Sequence, residues 1–167
     1  NSPNCLDSYA TATCLLNWQP NTNAVVNAIT IHGDTLFAAG SFSSVESLGR
    51  SRLAAIRLTS ACLSAYSSSC LTDWQPSAGS AVLSIVSGNN YIFLGGIFFD
   101  VNGIERRYLA AVDLQGQLTS FNPAANSAIN KLLYSGKTVY AVGSFTAIGG
   151  EAAYRLASIN ADGSVNW

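Results

Sequence analysis

Apolar residues in this chain fall in short runs broken by turn residues, and no stretch of about a dozen positions keeps an apolar i, i+3, i+4, i+7 period. An all-β chain without a long helix is the expectation. The runs Ala24 to Ile31, Ala81 to Val86 and Ala128 to Leu133 read as first strands, each closed by turn residues at Gly33-Asp34, Gly88-Asn89-Asn90 or Gly136-Lys137. Second strands follow at Leu36 to Gly40, Tyr91 to Gly96 and Val139 to Gly143, and third strands at Leu53 to Leu58, Leu109 to Leu114 and Leu156 to Asn160. A fourth strand is expected to run into an aromatic residue, as in Leu71-Thr72-Asp73-Trp74, and in the last repeat it follows the hairpin signal Asp162-Gly163. Strands such as Tyr91-Ile92-Phe93-Leu94 and Leu53-Ala54-Ala55-Ile56 are apolar at successive positions, so both faces of each sheet should be covered.

These strands recur at fixed distances. From an aromatic to a glycine the step is 22 residues three times: Trp18 to Gly40, Trp74 to Gly96 and Phe121 to Gly143. From glycine to alanine it is 14 each time, reaching Ala54, Ala110 and Ala157, and Trp167 closes the series. Such double agreement marks an internal repeat. Only the last part varies, with 20 residues from Ala54 to Trp74 against 11 from Ala110 to Phe121 and 10 from Ala157 to Trp167. An insertion confined to one place is what a surface loop tolerates. The aromatics are expected to pack between repeats, the glycines to sit where a bulge or a close backbone approach leaves no space for a side chain, and the alanines where sheets come too close for anything larger.

The segment Gly143-Ser144-Phe145-Thr146-Ala147-Ile148-Gly149-Gly150, with Arg155-Leu156-Ala157-Ser158-Ile159-Asn160-Ala161-Asp162-Gly163-Ser164-Val165 after it, resembles the bacterial delta-sixty type of β-propeller repeat and related surface propellers, including those of fungal cortical-marker proteins. The resemblance covers residues 18–167 and implies β-propeller blades from a long secreted or surface-anchored protein, with no catalytic residues to carry over. On this reading residues 19–74, 75–121 and 122–167 are three four-stranded blades, and residues 1–18 are an N-terminal half-blade hairpin. Closed propellers typically have about four to eight blades, so both end faces should be apolar and open. Two departures stand out. Cysteines occur in two repeats, and Ile97 and Phe99 replace the hydroxyl residues of Ser41-Phe42-Ser43 and Ser144-Phe145-Thr146, so the loop of the second unit should be buried differently.

The cysteines lie in matching surroundings, Cys5-Leu6-x-x-Tyr9 to Cys14-Leu15 and Cys62-Leu63-x-x-Tyr66 to Cys70-Leu71, each ending four residues before a Trp-Gln-Pro. Zinc would want tighter cysteine spacing or nearby histidines, and His32 is the one histidine of the chain. Disulfides Cys5–Cys14 and Cys62–Cys70, each clamping a hairpin, are therefore expected, and they place the protein in an oxidising compartment. The chain has no methionine, which reads as a processed or excised piece of a protein outside the cell or on its surface.

Charge changes the picture of partners. Charged residues are 10% of the chain, against roughly 25% in an ordinary soluble domain, and the net charge is −1. Eight Lys and Arg, scattered with no run longer than Arg106-Arg107, against nine Asp and Glu make no phosphate-binding surface, so nucleic acid is not expected as a partner. The longest apolar run, Tyr91 to Phe99, is too short for a membrane span.

Catalytic chemistry has little to start from. His32 falls in a predicted turn, where an exposed histidine is the simpler reading than a Ser-His-Asp site. Asp100 and Glu105, with Arg106 and Arg107 beside them, read as a salt-bridged loop rather than a glycosidase pair. Arg52 and Arg155 stand two residues before the repeated alanine, with Tyr108 in the middle repeat, and a bond from arginine to a loop carbonyl is expected there. No metal site or cofactor is indicated. The sequence thus points to a structural or interaction module rather than an enzyme, self-assembling or part of a longer propeller protein. Its alternative is a carbohydrate-binding propeller, in which some of the aromatics would stack on a glycan.

Overall fold

The computed structural model describes residues 18–166. Three antiparallel sheets, one per repeat, follow each other along the chain. The first contains β1 (Val26–His32), β2 (Thr35–Gly40) and β5 (Leu53–Arg57), with β3 (Ser44–Val45) and β4 (Leu48–Gly49) forming a small hairpin between β2 and β5. A short helix α1 (Ser60–Ser64) follows. The second repeats the plan with β6 (Val82–Gly88), β7 (Tyr91–Gly96) and β10 (Leu109–Asp113), and the hairpin β8 (Asp100–Val101) with β9 (Ile104–Glu105). In the third, β11 (Ile129–Ser135), β12 (Thr138–Gly143) and β15 (Leu156–Asn160) gain a fourth strand β16 (Val165–Asn166), and β13 (Ala147–Ile148) pairs with β14 (Glu151–Ala152).

The fourth strand departs from expectation in the first two repeats. It shrinks to single bridges, Ile56 with Leu71 and Val112 with Leu118, where the third repeat pairs Ile159 with Val165. The backbone still holds at those places, because Thr72 N donates to Ala55 O and Thr119 N to Ala111 O. The short hairpins were not foreseen. Each turns through two residues in the left-handed region, Glu46-Ser47, Asn102-Gly103 and Gly149-Gly150, as a tight antiparallel turn requires. Glu46 is anchored, since its Oε1 accepts from Asn21 N (2.7 Å) and Nδ2 (3.1 Å), but Ser47 carries a side chain where the other turns have glycine. Ser47→Gly is expected to stabilise the protein by about 0.5–1 kcal/mol, read as a higher urea midpoint at unchanged slope.

Gly40, Gly96 and Gly143 sit opposite a bulge that recurs in register. The extra residues are Asn27, Leu83 and Asn130, and the pairing jumps from Val26 to Ala28, Val82 to Ser84 and Ile129 to Lys131. The bulge turns one carbonyl onto each glycine: those of Val25, Ala81 and Ala128 occupy the space that a Cβ would need. Each of these oxygens accepts a hydrogen bond from the residue after the glycine, Ser41, Ile97 and Ser144.

The insertion of the first repeat is helical rather than a hairpin. Thr59 caps α1 by accepting from Cys62 N, and Cys62 joins Cys70, at the end of a single 3₁₀ turn (Ser68–Cys70), in a disulfide. The sequence separation of 8 makes this a small loop, so Cys62→Ala/Cys70→Ala is expected to cost about 2–3 kcal/mol by chain entropy, measured by denaturant unfolding. Cys5 and Cys14 lie outside the described residues.

Candidate functional site

The three sheets are stacked, and the same repeat positions form each junction. Between the first and second, Phe37, Leu53 and Trp74 meet Val82, Ile85 and Ile92 in one buried cluster. Between the second and third, Phe93, Leu109 and Phe121 meet Ile129, Leu132 and Val139. The repeated aromatics lie in these junctions. Trp74 sets its ring edge-on against Phe37 at 4.9 Å and donates Nε1–H to Asp113 O at 3.0 Å, while Phe121 sits edge-on against Phe93 at 5.1 Å. Trp18 holds at the first sheet the place that Trp74 holds at the second. It is half-buried and meets Tyr66 of the disulfide loop edge-on at 6.0 Å, and burial pushes the Tyr66 phenol pKa up. Trp167 lies outside the described residues. Ala54, Ala110 and Ala157 are all buried, each paired across its sheet with Ala38, Leu94 or Ala141.

Polar groups fasten the first junction. Asn27 Nδ2 donates to Val82 O (2.9 Å), Arg52 Nη1 to Ala78 O (3.1 Å) and Ser87 Oγ to Ile31 O (2.9 Å). The arginine-to-carbonyl bond expected for Arg52 is thus a clamp between repeats. In the second junction the buried Ser84 Oγ accepts from Leu132 N at 2.9 Å.

Exposure at matching positions then changes abruptly at the two ends. On the front face Ile29 is 59% exposed, whereas its counterparts Ile85 and Leu132 are 3% and 4%. On the rear face Leu156 is 63% exposed, whereas Leu53 and Leu109 are both 0%. Tyr140 is likewise open where Phe37 and Phe93 are buried. The front of the first sheet holds a groove of about 160 Å³ lined by Trp18, Pro20, Val26, Ile29, Leu36 and Ala38, and the rear of the third a depression of about 460 Å³ lined by Tyr140, Leu156 and Val165. These two faces are the candidate site.

Other sequence candidates are placed as follows. His32 ends β1, rather than standing in a turn, and lines an open cleft of about 390 Å³ with Thr35, Thr72 and Asp73. Asp100 and Glu105 face each other in the pairing of β8 with β9, but the Asp100 carboxylate fills the space above Gly79 and Glu105 is ion-paired with Arg107 at 2.7 Å. Phe99 is exposed and sits edge-on against Tyr108 at 5.3 Å, and Ile97 is open as well. The loop is therefore not buried differently from its counterparts: Ile97 and Phe99 flank the buried Phe98 as the exposed Ser41 and Ser43 flank Phe42 and Ser144 and Thr146 flank Phe145, and only the chemistry of the exposed positions changes. Glu105, Arg107, Tyr108 and Asn122 line a cleft of about 510 Å³.

Arg50 escaped the sequence reading, and Arg106, expected in a salt-bridged loop, bonds carbonyls while Arg107 makes the ion pair. Each spans from its hairpin to the segment before the repeated aromatic, Arg50 donating to Gly49 O and Thr72 O and Arg106 to Glu105 O and Thr119 O. Their common place ten residues after the repeated glycine was the signal available. No helix among the described residues is long and apolar enough to cross a membrane, and these residues include no cluster of three metal-ligating side chains.

No protein-family model and no curated protein matches the chain. Among solved structures it is similar to the computationally designed Ika8 protein, with a TM-score of 0.50 and 11% identity over 85% of this chain and 35% of that one. The computationally designed Ika4 protein also matches, with a TM-score of 0.41, 10% identity, 84% of this chain and 95% of the other. This chain spans about a third of the length of Ika8.

Proposed function

We propose that the chain is an extracellular structural and interaction module, a run of β-propeller-type blades whose two open faces take up further units of the same kind. The observation that carries this reading is the switch in exposure: side chains buried in both internal junctions, at Ile85 and Leu132 or at Leu53 and Leu109, are open at Ile29 and Leu156. Apolar sheet faces of this kind lose free energy by being covered. The Cys62–Cys70 disulfide favours an oxidising compartment, and a net charge of −1 leaves little repulsion between neighbouring units.

Light scattering on the isolated chain, with an apolar dye added, tests the reading. Association or strong dye binding is expected, and a monomer that binds no dye overturns it. Carbohydrate binding is the second reading, favoured by the cleft in which Tyr108 lies beside Glu105, Arg107 and Asn122. A glycan array showing saturable binding that Tyr108→Ala abolishes would establish it in place of the first.

A further inference from the structure

Resting on that reading, we propose that the occupant of each open face is a second copy of this chain, docked head to tail, with the rear of one third sheet against the front of the next first sheet. The two faces carry the two halves of an existing junction. In the first junction, Asn27 and Arg52 donate from the rear face to the carbonyls of Val82 and Ala78. The third repeat has Asn130 and Arg155 at those positions, whereas the second has Leu83 and Tyr108. Asn130 and Arg155 are both exposed, and Arg155 shares the left-handed backbone of Arg52, with φ of 68° in each. The positions of Val82 and Ala78 are held in the first repeat by Val26 and Thr22. Asn130 of one copy therefore donates to Val26 O of the next, and Arg155 to Thr22 O.

A third pair of positions supports the match, because it changes character as a pair. Thr30 meets Ser87 in the first junction, hydroxyl to hydroxyl at 3.4 Å. In the second junction the same places hold Val86 and Tyr134, both partly buried against the apolar cluster. Head-to-tail docking brings Leu133 against Ile31, which are 62% and 55% exposed in the single chain. Polar thus meets polar once and apolar meets apolar twice. Ala38, where the second sheet has Leu94, leaves space in the front groove for Tyr140 and Val142, which are larger than Ala39 or Gly95 at the rear of the inner sheets or match Phe37 and Phe93 in size. The contact is heterologous, so it propagates into a ring or a filament according to the rotation per copy.

Sedimentation of two single variants, alone and mixed, tests the polarity. Ile29→Glu blocks the front and Leu156→Glu blocks the rear, and both sites are on the surface, so the fold is retained. Each variant alone should stay monomeric while their equimolar mixture forms a 1:1 dimer, since one supplies an intact rear and the other an intact front. Asn130→Leu/Arg155→Tyr, which gives the third repeat the residues of the second, should weaken wild-type association by at least about tenfold. Association of Ile29→Glu or Leu156→Glu with itself would mean like-with-like pairing and would overturn the proposal while leaving the open-face reading intact. A wild-type monomer that binds dye would also overturn it and spare that reading. A wild-type monomer without dye binding would remove both.

Discussion

Phe93→Ala is expected to destabilise the protein by about 3–5 kcal/mol, whereas Tyr140→Ala at the matching position of the next repeat should cost less than about 1 kcal/mol in dilute solution. Phe93 is fully buried between the second and third sheets, edge-on to Phe121 at 5.1 Å and stacked on Tyr134 at 5.6 Å. Its removal leaves a cavity that two sheets would have to close, and their spacing is fixed by Leu109 and Ile129 as well. Tyr140 points at nothing comparable, so its loss removes little buried contact. Urea unfolding at low protein concentration measures both. Equal costs at the two positions would mean that the third sheet is covered in the single chain.

Gly96→Ala is expected to cost about 2–3 kcal/mol, as overpacking against backbone does when nothing flexible can give way. The added methyl would meet the carbonyl of Ala81, which the bulge at Leu83 holds in place and which Ile97 N–H already engages at 3.0 Å. Moving that oxygen aside breaks the hydrogen bond and shifts β6 against β7 at the edge of the core. Gly49→Ala provides the contrast, because a Cβ there meets nothing within 4 Å and the backbone is not left-handed. That substitution should leave the unfolding midpoint unchanged or slightly raised.

These two positions show what the sequence exposes and what it hides. A glycine repeated at constant distance from an aromatic was readable because a backbone clash and a buried ring tolerate few alternatives, and both constraints recur in every unit. The strands around them were readable for the same reason, their apolar runs being covered on both faces in the middle of the stack. The segment from Thr59 to Cys70 was not: α1 has five residues, too few for a helical period, and its cysteine spacing suits a hairpin equally well. The fourth strands were over-read in the first two repeats because apolar content near Leu71 and Leu118 secures a single bridge without an extended ladder. The role of Arg50 and Arg106 was hidden because one carbonyl partner of each, Thr72 or Thr119, comes from a segment 22 or 13 residues away that only the fold brings near, while the other is the preceding residue. The exposure of the rear face was hidden in the sequence, since Leu156 repeats Leu109 and Tyr140 differs from Phe93 by one hydroxyl, so the same residues serve a buried and an open position.

Covalent footprinting of side chains over a range of protein concentrations tests the central claim most directly. Ile29, Tyr140 and Leu156 should be labelled in dilute solution and become protected together as the concentration rises, while Ile85, Phe93 and Leu109 stay unlabelled throughout. Labelling of Phe93 or Leu109 in the folded protein, or labelling of Ile29 and Leu156 that does not change with concentration, would contradict it.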